Sequence, residues 1–390
     1  MNLPPHPISA TDVAISFGNA HVVLADRVIH GFVVIAGDRI LDVGTGPTPA
    51  GSLDLGGDYL LPGLVDIHTD HFEKHVFPRA HVRWNIMRAL LAHDAQVIGG
   101  GITTVFDSLC VGATATLERR EILAPMLEAI EAAQAKGMLR AEHLVHLRCE
   151  ITDALTPELT AANIDRPVVR LVSVMEHVPG LRQSRDLTAY IDRRQKETGK
   201  SADVLRAEMD QAIADAGDIG ARVRPRVVDL AHQRALPLMS HDDTEVAHIE
   251  LAKADGVAVS EFPCTLEAAR AARAAGMAIV AGAPNLLRGG SQSGNVAVAD
   301  LLAEGLVDVL ASDYVPRSLL DCAFALAEEP RFGIDLPRAV AMVAKAPAGI
   351  AGIEDRGEIA PGKRADLLHV ALADGHPCLK QVWRAGRRVS

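Results

Sequence analysis

Leu60-Leu61-Pro62-Gly63-Leu64-Val65-Asp66-Ile67-His68-Thr69-Asp70 decides how this chain folds. An apolar run punctuated by Pro-Gly reads as a buried strand. It ends in His68 and Asp70, two residues apart. Alternate side chains of a strand point to one side, so imidazole and carboxylate leave its C-terminal end together. Such a pair suits a divalent metal ion. Taken alone it also fits a turn histidine beside a surface aspartate, so the rest of the chain must supply further ligands.

Downstream, strands alternate with helices. The pattern predicts strands at Ile102–Asp107, Arg140–Glu150, Val168–His177, Leu236–His241, Val257–Phe262, Met277–Ala283 and Val307–Asp313. Helical periodicity fills the intervals, as at 84–98 and 118–136. Eight strands alternating with helices define an α/β chain, a (β/α)8 TIM barrel, expected over 60–355 with functional groups at the strands' C-terminal ends. A polar helical insertion at about 180–219 interrupts the rhythm. It is expected as two separate pieces, 184–198 and 201–216, before a further helix at 221–234. Following a strand's C-terminal end, it should overhang the mouth, as a lid or as a solvated excursion. Upstream, residues 1–59 hold short β-rich runs with Gly-Asn and Gly-Asp turns, and 356–390 return to short strands. These two parts are expected to form one discontinuous β-sandwich domain.

The chain has 390 residues, 48% hydrophobic and 23% charged, as a globular protein does. A net charge of −11 argues against nonspecific nucleic-acid binding, and any anionic substrate must be held by local cations. Five scattered cysteines without a CxxC fit a reducing cytosol. Residues 1–10 lack the regions of a signal peptide, and no apolar run is long enough for a membrane span. A cytoplasmic location is expected.

At the strand ends the polar residues collect in order: His68 and Asp70, then Glu150, Glu176-His177, His241-Asp242 and Asp313. A lone histidine there is commonly structural, and a lone aspartate commonly caps a helix. The full set on one barrel face reads as a metal centre, because crowded carboxylates and imidazoles need a cation. His93, His143 and His146 fall inside a helix or strand and read as packed residues.

The chain resembles the amidohydrolase superfamily of metal-dependent barrels. The likeness rests on Pro62 to Asp70, on Gly100-Gly101-Ile102-Thr103-Thr104-Val105, and on Gly357-Glu358-Ile359-Ala360-Pro361-Gly362-Lys363-Arg364-Ala365-Asp366-Leu367. It departs from many members in having His-x-Asp for His-x-His, and Glu150 where many use a carboxylated lysine. Within the superfamily, His68 to His75, Leu91 to Gln96, Met175 to Gln183 and Arg288 to Asn295 resemble the diphosphatases of phosphonate breakdown. These cleave alpha-D-ribose 1-methylphosphonate 5-triphosphate to the 5-phosphate and pyrophosphate.

The resemblance implies two divalent metal ions, zinc by donor type with manganese or iron as alternatives, held by His68, Asp70, Glu150, His177, His241 and Asp313. Glu150 is preferred as bridge over Glu176, and Asp313 is the expected catalytic base. Independently, Arg288-Gly289-Gly290-Ser291-Gln292-Ser293-Gly294-Asn295 reads as a phosphate cradle leading into a helix, or as a flexible loop. Lys74, His75 and Arg182 are expected above the same mouth with it, beside Arg79 and Arg185, so the substrate-binding set is Lys74, His75, Arg182, Arg288, Gly289, Gly290, Ser291 and Ser293. A homo-oligomer, a dimer first, and association with other proteins of phosphonate breakdown are expected. The alternatives are an enzyme acting on a C–N bond, whose metal ligands could be identical, and an inactive scaffold.

Overall fold

A computed structural model describes residues 14–79, 82–112, 118–178, 180, 182, 187–291 and 293–390. Residues 1–10, Arg185 and Gln292 lie outside the described residues.

The opening stretch is two strands, separated at Gly63. The Gly63 N–H donates to Asp366 O at 2.8 Å. A Cβ there would stand 2.3 Å from Thr103 Oγ1 and 2.8 Å from Asp366 Cβ, so the close approach requires glycine. Five strands precede it: β1 (Ile15–Val23), β2 (Val28–Ala36), β3 (Arg39–Thr45), β4 (Leu53–Asp54) and β5 (Tyr59–Pro62). Eight follow: β6 (Leu64–Thr69), β7 (Ile102–Val111), β8 (Glu142–Glu150), β9 (Val169–Met175), β10 (Leu238–His241), β11 (Val259–Glu261), β12 (Ala278–Gly282) and β13 (Val309–Ala311). The chain closes with β14 (Leu367–Ala373), β15 (His376–Arg384) and β16 (Arg387–Arg388).

Strands β6 to β13 form a parallel sheet in sequential order. A parallel bridge between Thr69 and Asp313 joins its two edges and closes the barrel. Every residue of β6 and β7 is buried, because helices cover the outside and side chains fill the inside. Val65, Ile67, Phe106, Leu144, Leu171, Met239, Val259, Val280 and Val309 pack the interior, below the mouth.

The terminal parts share one sheet of order β16-β15-β14-β5-β1-β2-β3, with β4 beside β1. It encloses its own core, where Phe17 meets Trp383 edge-on at 4.7 Å between ring centres. The closing glycine-rich stretch ties this sheet to the barrel. Arg356 and Arg364 both pair with Glu142, and Arg364 also pairs with Asp366.

The insertion departs from expectation. After a helix at Leu187–Thr198, a single helix runs Ala202–Gln233 without a break near 217–220. The buried stripe Leu205, Met209, Ala216, Gly220, Val223, Val227 and Ala231 continues through that point, so burial overrides the glycines. No helix among the described residues is long and apolar enough to cross a membrane.

Candidate active site

The first candidate pair is aimed by an irregularity. The β6–β7 register slips between Asp66 and Thr69, which re-aims the strand end. His68 then crosses the barrel to Glu261 on β11, with Nδ1 2.7 Å from Oε1. His241, ending β10, places its own Nδ1 2.7 Å from Oε2 of the same carboxylate. The two rings stack at 5.6 Å between centres and 13° between planes. An ionised carboxylate only accepts, so both histidines donate Nδ1–H and turn a bare Nε2 to the mouth. Burial pushes His68 well down and His241 down to about 3, so both rings are neutral and fit to bind a metal.

Strand β9 leads to His177. Its Nδ1 lies 2.9 Å from Glu150 Oε2, and Glu150 also accepts from Thr152 Oγ1 at 2.7 Å. The Glu150 carboxylate is fully buried and is not part of the cavity wall, whereas His177 is. Glu176 is turned aside onto Arg182 Nε at 2.8 Å. Neither glutamate weighed as a bridge therefore faces the cavity. Asp242 does, with Oδ2 3.4 Å from His241 Nε2 and 3.9 Å from His177 Nε2. Donor atoms of His177, His241 and Asp242 lie within 4.8 Å of one another.

Asp70 and Asp313 complete the rim. Asp70 Oδ1 is buried without a hydrogen bond, an acceptor left for an ion. Asp313 N donates to His68 O, and Asp70 N to Asp313 O, each at 2.9 Å. Burial, then Asp70, pushes the Asp313 carboxyl up to about 7. Asp242, Phe262 and Asp313 hold φ of 57°, 54° and 54°, left-handed conformations that side chains adopt rarely. All three follow strand ends at the mouth, where strain aims side chains inward. The donor chemistry, the Asp70 oxygen without a hydrogen bond and the two oriented Nε2 atoms fit a divalent metal.

These residues line one cavity of about 960 Å³. The helices at Leu187–Thr198 and Ala202–Gln233 form one wall, through Tyr190, Glu208, Met209 and Ile219, with Lys200 between them. Of the residues expected to bind substrate, Lys74, Arg288, Ser291 and Ser293 line it. Lys74 Nζ stands 3.8 Å from Asp70 Oδ1 and 4.6 Å from the Tyr314 ring centre. Arg182 is spent on Glu176 and on Asp243 at 3.2 Å, outside the wall. His75 turns to His71 and His93, also outside it. Arg288 ends a short helix, Ala283–Arg288, and Gly289 caps it at φ 79°. The next helix starts only at Val298. Gly289 and Gly290 thus follow a helix C-terminus instead of feeding an N-terminus, because the strand-to-helix turn is taken earlier, at Pro284.

Two residues escaped the sequence reading. Glu261 was visible only as an acidic residue inside an apolar strand. Arg148 lies two residues before Glu150 on the same inward face of β8. It is buried and lines the cavity, with Nη2 3.4 Å from His241 Nε2.

The chain belongs to the amidohydrolase family, whose model matches residues 59–389. It is 39% identical to the alpha-D-ribose 1-methylphosphonate 5-triphosphate diphosphatase of Escherichia coli (strain K12), over 95% of this chain and 99% of that one. It is 28% identical to an imidazolonepropionase of Cereibacter sphaeroides, over 91% of each chain. The structure of a 5-methylcytosine deaminase from Klebsiella pneumoniae superposes with TM-score 0.65 at 15% identity, covering 96% of this chain and 98% of that one, which shows the shared fold.

Proposed function

We propose that this chain hydrolyses alpha-D-ribose 1-methylphosphonate 5-triphosphate to the 5-phosphate and pyrophosphate in phosphonate breakdown. The E. coli relative carries that substrate in its name. The observation that carries the reading on this chain's own residues is Arg148. Its guanidinium touches Cys110 Sγ at 3.9 Å and His241, and no carboxylate among the described residues is within ion-pair reach. The carboxylates of Asp70, Glu261 and Glu73 act on it only from longer range, and a polyphosphate supplies a direct ionic partner where a neutral ring amide does not. Lys74, Arg119, Arg194, Lys200 and Arg288 line the same cavity in a chain of net charge −11.

His68, Asp70, His177, His241 and Asp313 would hold the two divalent ions we assign, zinc first, with Asp242 added to the set. Glu150 then acts by fixing His177, since its own oxygens are engaged. Bound there, the ions would supply a Lewis acid that acidifies water and neutralises phosphoryl oxygens. Asp313 takes the proton from the water that attacks the α-phosphorus, and returns one to the departing pyrophosphate. Arg148 and Lys74 hold the phosphoryl oxygens while charge shifts toward the leaving group.

Phosphorus NMR of the ribosyl triphosphate tests this directly. Arg148→Met should lower kcat/KM by about 10²–10³-fold with metal content unchanged. The imidazolonepropionase relatives favour C–N hydrolysis as the competing reading. Ring opening of a cyclic amide, with no pyrophosphate from the triphosphate, would decide for it.

A further inference from the structure

We propose that His71, His75 and His93 form a second metal site, outside the cavity, that takes one divalent ion of the zinc class. The helix at His71–Val76 presents His71 and His75 four residues apart, on one side. His93 reaches them from the neighbouring helix, Ile86–Gly99. The three rings lie 4.8, 5.5 and 6.0 Å apart between centres, and one donor nitrogen from each falls within 4.8 Å of the other two.

Two distances fit an ion held among the three rings. His71 Nδ1 and His93 Nδ1 are 3.3 Å apart. Tetrahedral zinc with bonds of about 2.0–2.1 Å sets its nitrogens about 3.3 Å apart. The other nitrogen of His93, Nε2, lies 2.7 Å from Asp107 Oδ1. That carboxylate takes Nε2–H and leaves Nδ1 bare toward His71, the carboxylate–histidine arrangement found behind metal ligands. Asp107 is itself held, its second oxygen 2.8 Å from His143 Nδ1. His75 Nε2 is buried and has no hydrogen-bond partner among the described residues.

The cluster is separate from the active centre. None of the three histidines lines the cavity. Glu73, between them in sequence, is engaged by Arg119 at 3.2 Å, so the donor set is three imidazole nitrogens with one position left for water. An ion there would pin the helix that follows Asp70 to the helix at Ile86–Gly99, fixing Asp70 and Lys74 from behind.

Metal counting on the stripped and reloaded full-length protein tests the site. Zinc per chain is measured by mass spectrometry after gel filtration, in wild type, His75→Ala, and the double variant His177→Ala/His241→Ala. His75→Ala should lose one ion relative to wild type, and the double variant should keep one. Cobalt in the double variant should give the intense visible bands of a tetrahedral site, abolished by adding His75→Ala. Equal ion counts in wild type and His75→Ala overturn the proposal, and so does a double variant that holds no ion. If His75→Ala fails to fold, His75→Gln takes its place, and the cobalt spectrum of the double variant decides alone. That variant lacks two of the three histidines that line the cavity, and the loss of its bands on adding His75→Ala, a change outside the cavity, is read independently of the diphosphatase reading.

Discussion

Glu261→Gln separates orientation from ligation. In the wild type one carboxylate accepts Nδ1–H from both His68 and His241, at 2.7 Å each. Glutamine keeps the shape but offers one oxygen and one NH2. The amide NH2 cannot accept, so the histidine facing it must give up Nδ1–H and carry its proton on Nε2, the end aimed at the cavity. One of two ligands is thereby blocked, or bound at the expense of a buried hydrogen bond. Loss of such a supporting partner weakens metal binding by about 10–100-fold, or about 1.4–2.7 kcal/mol. Competition of the stripped protein against a chromophoric chelator reads this as a shift in zinc Kd. Activity followed against free metal should recover at high zinc, and the melting temperature should change little because the residue is isosteric. Unchanged zinc affinity in Glu261→Gln would refute the tautomer argument. Activity that stays low in fully loaded enzyme would move Glu261 from positioning into the chemistry itself.

Three further outcomes are expected. Asp313→Asn should cut turnover by about 10²–10⁴-fold with near-normal metal content, since the general base is lost while the other proposed ligands stand; loss of both would make Asp313 chiefly a structural ligand. Glu142→Gln should lower stability at pH 7 by up to about 3 kcal/mol. Burial alone would raise the Glu142 carboxyl, but Arg364 and Arg356 hold it down to about 2 from an ordinary 4.5. The folded-state pKa is depressed, so this stability is present above pH 4.5 and drains away as pH falls toward about 2; acid titration of both proteins should converge there. Gly63→Ala should cost about 1–3 kcal/mol in urea unfolding, because the new methyl group overlaps Thr103 and Asp366.

The barrel and the order of its strand-end residues were legible because both depend on local periodicity. An apolar run ending in a polar residue says strand and mouth without reference to any partner. His68, Asp70, His177, His241 and Asp313 were placed at the mouth in this way, and all five line the cavity. Tertiary structure decided what each group faces. The register slip after Asp66 aims His68 inward, and no pattern in the sequence announces it. Glu150 and Arg148 share one face of β8, yet burial gives the arginine to the cavity and the glutamate to His177. Glu261 matters only because two histidines, 193 and 20 residues away, meet its two oxygens. The helix at Ala202–Gln233 runs on where the sequence pattern divides after 216, because a buried stripe continues through that point. Periodicity records which way a side chain points along its own strand or helix, and nothing of what other segments bring to meet it.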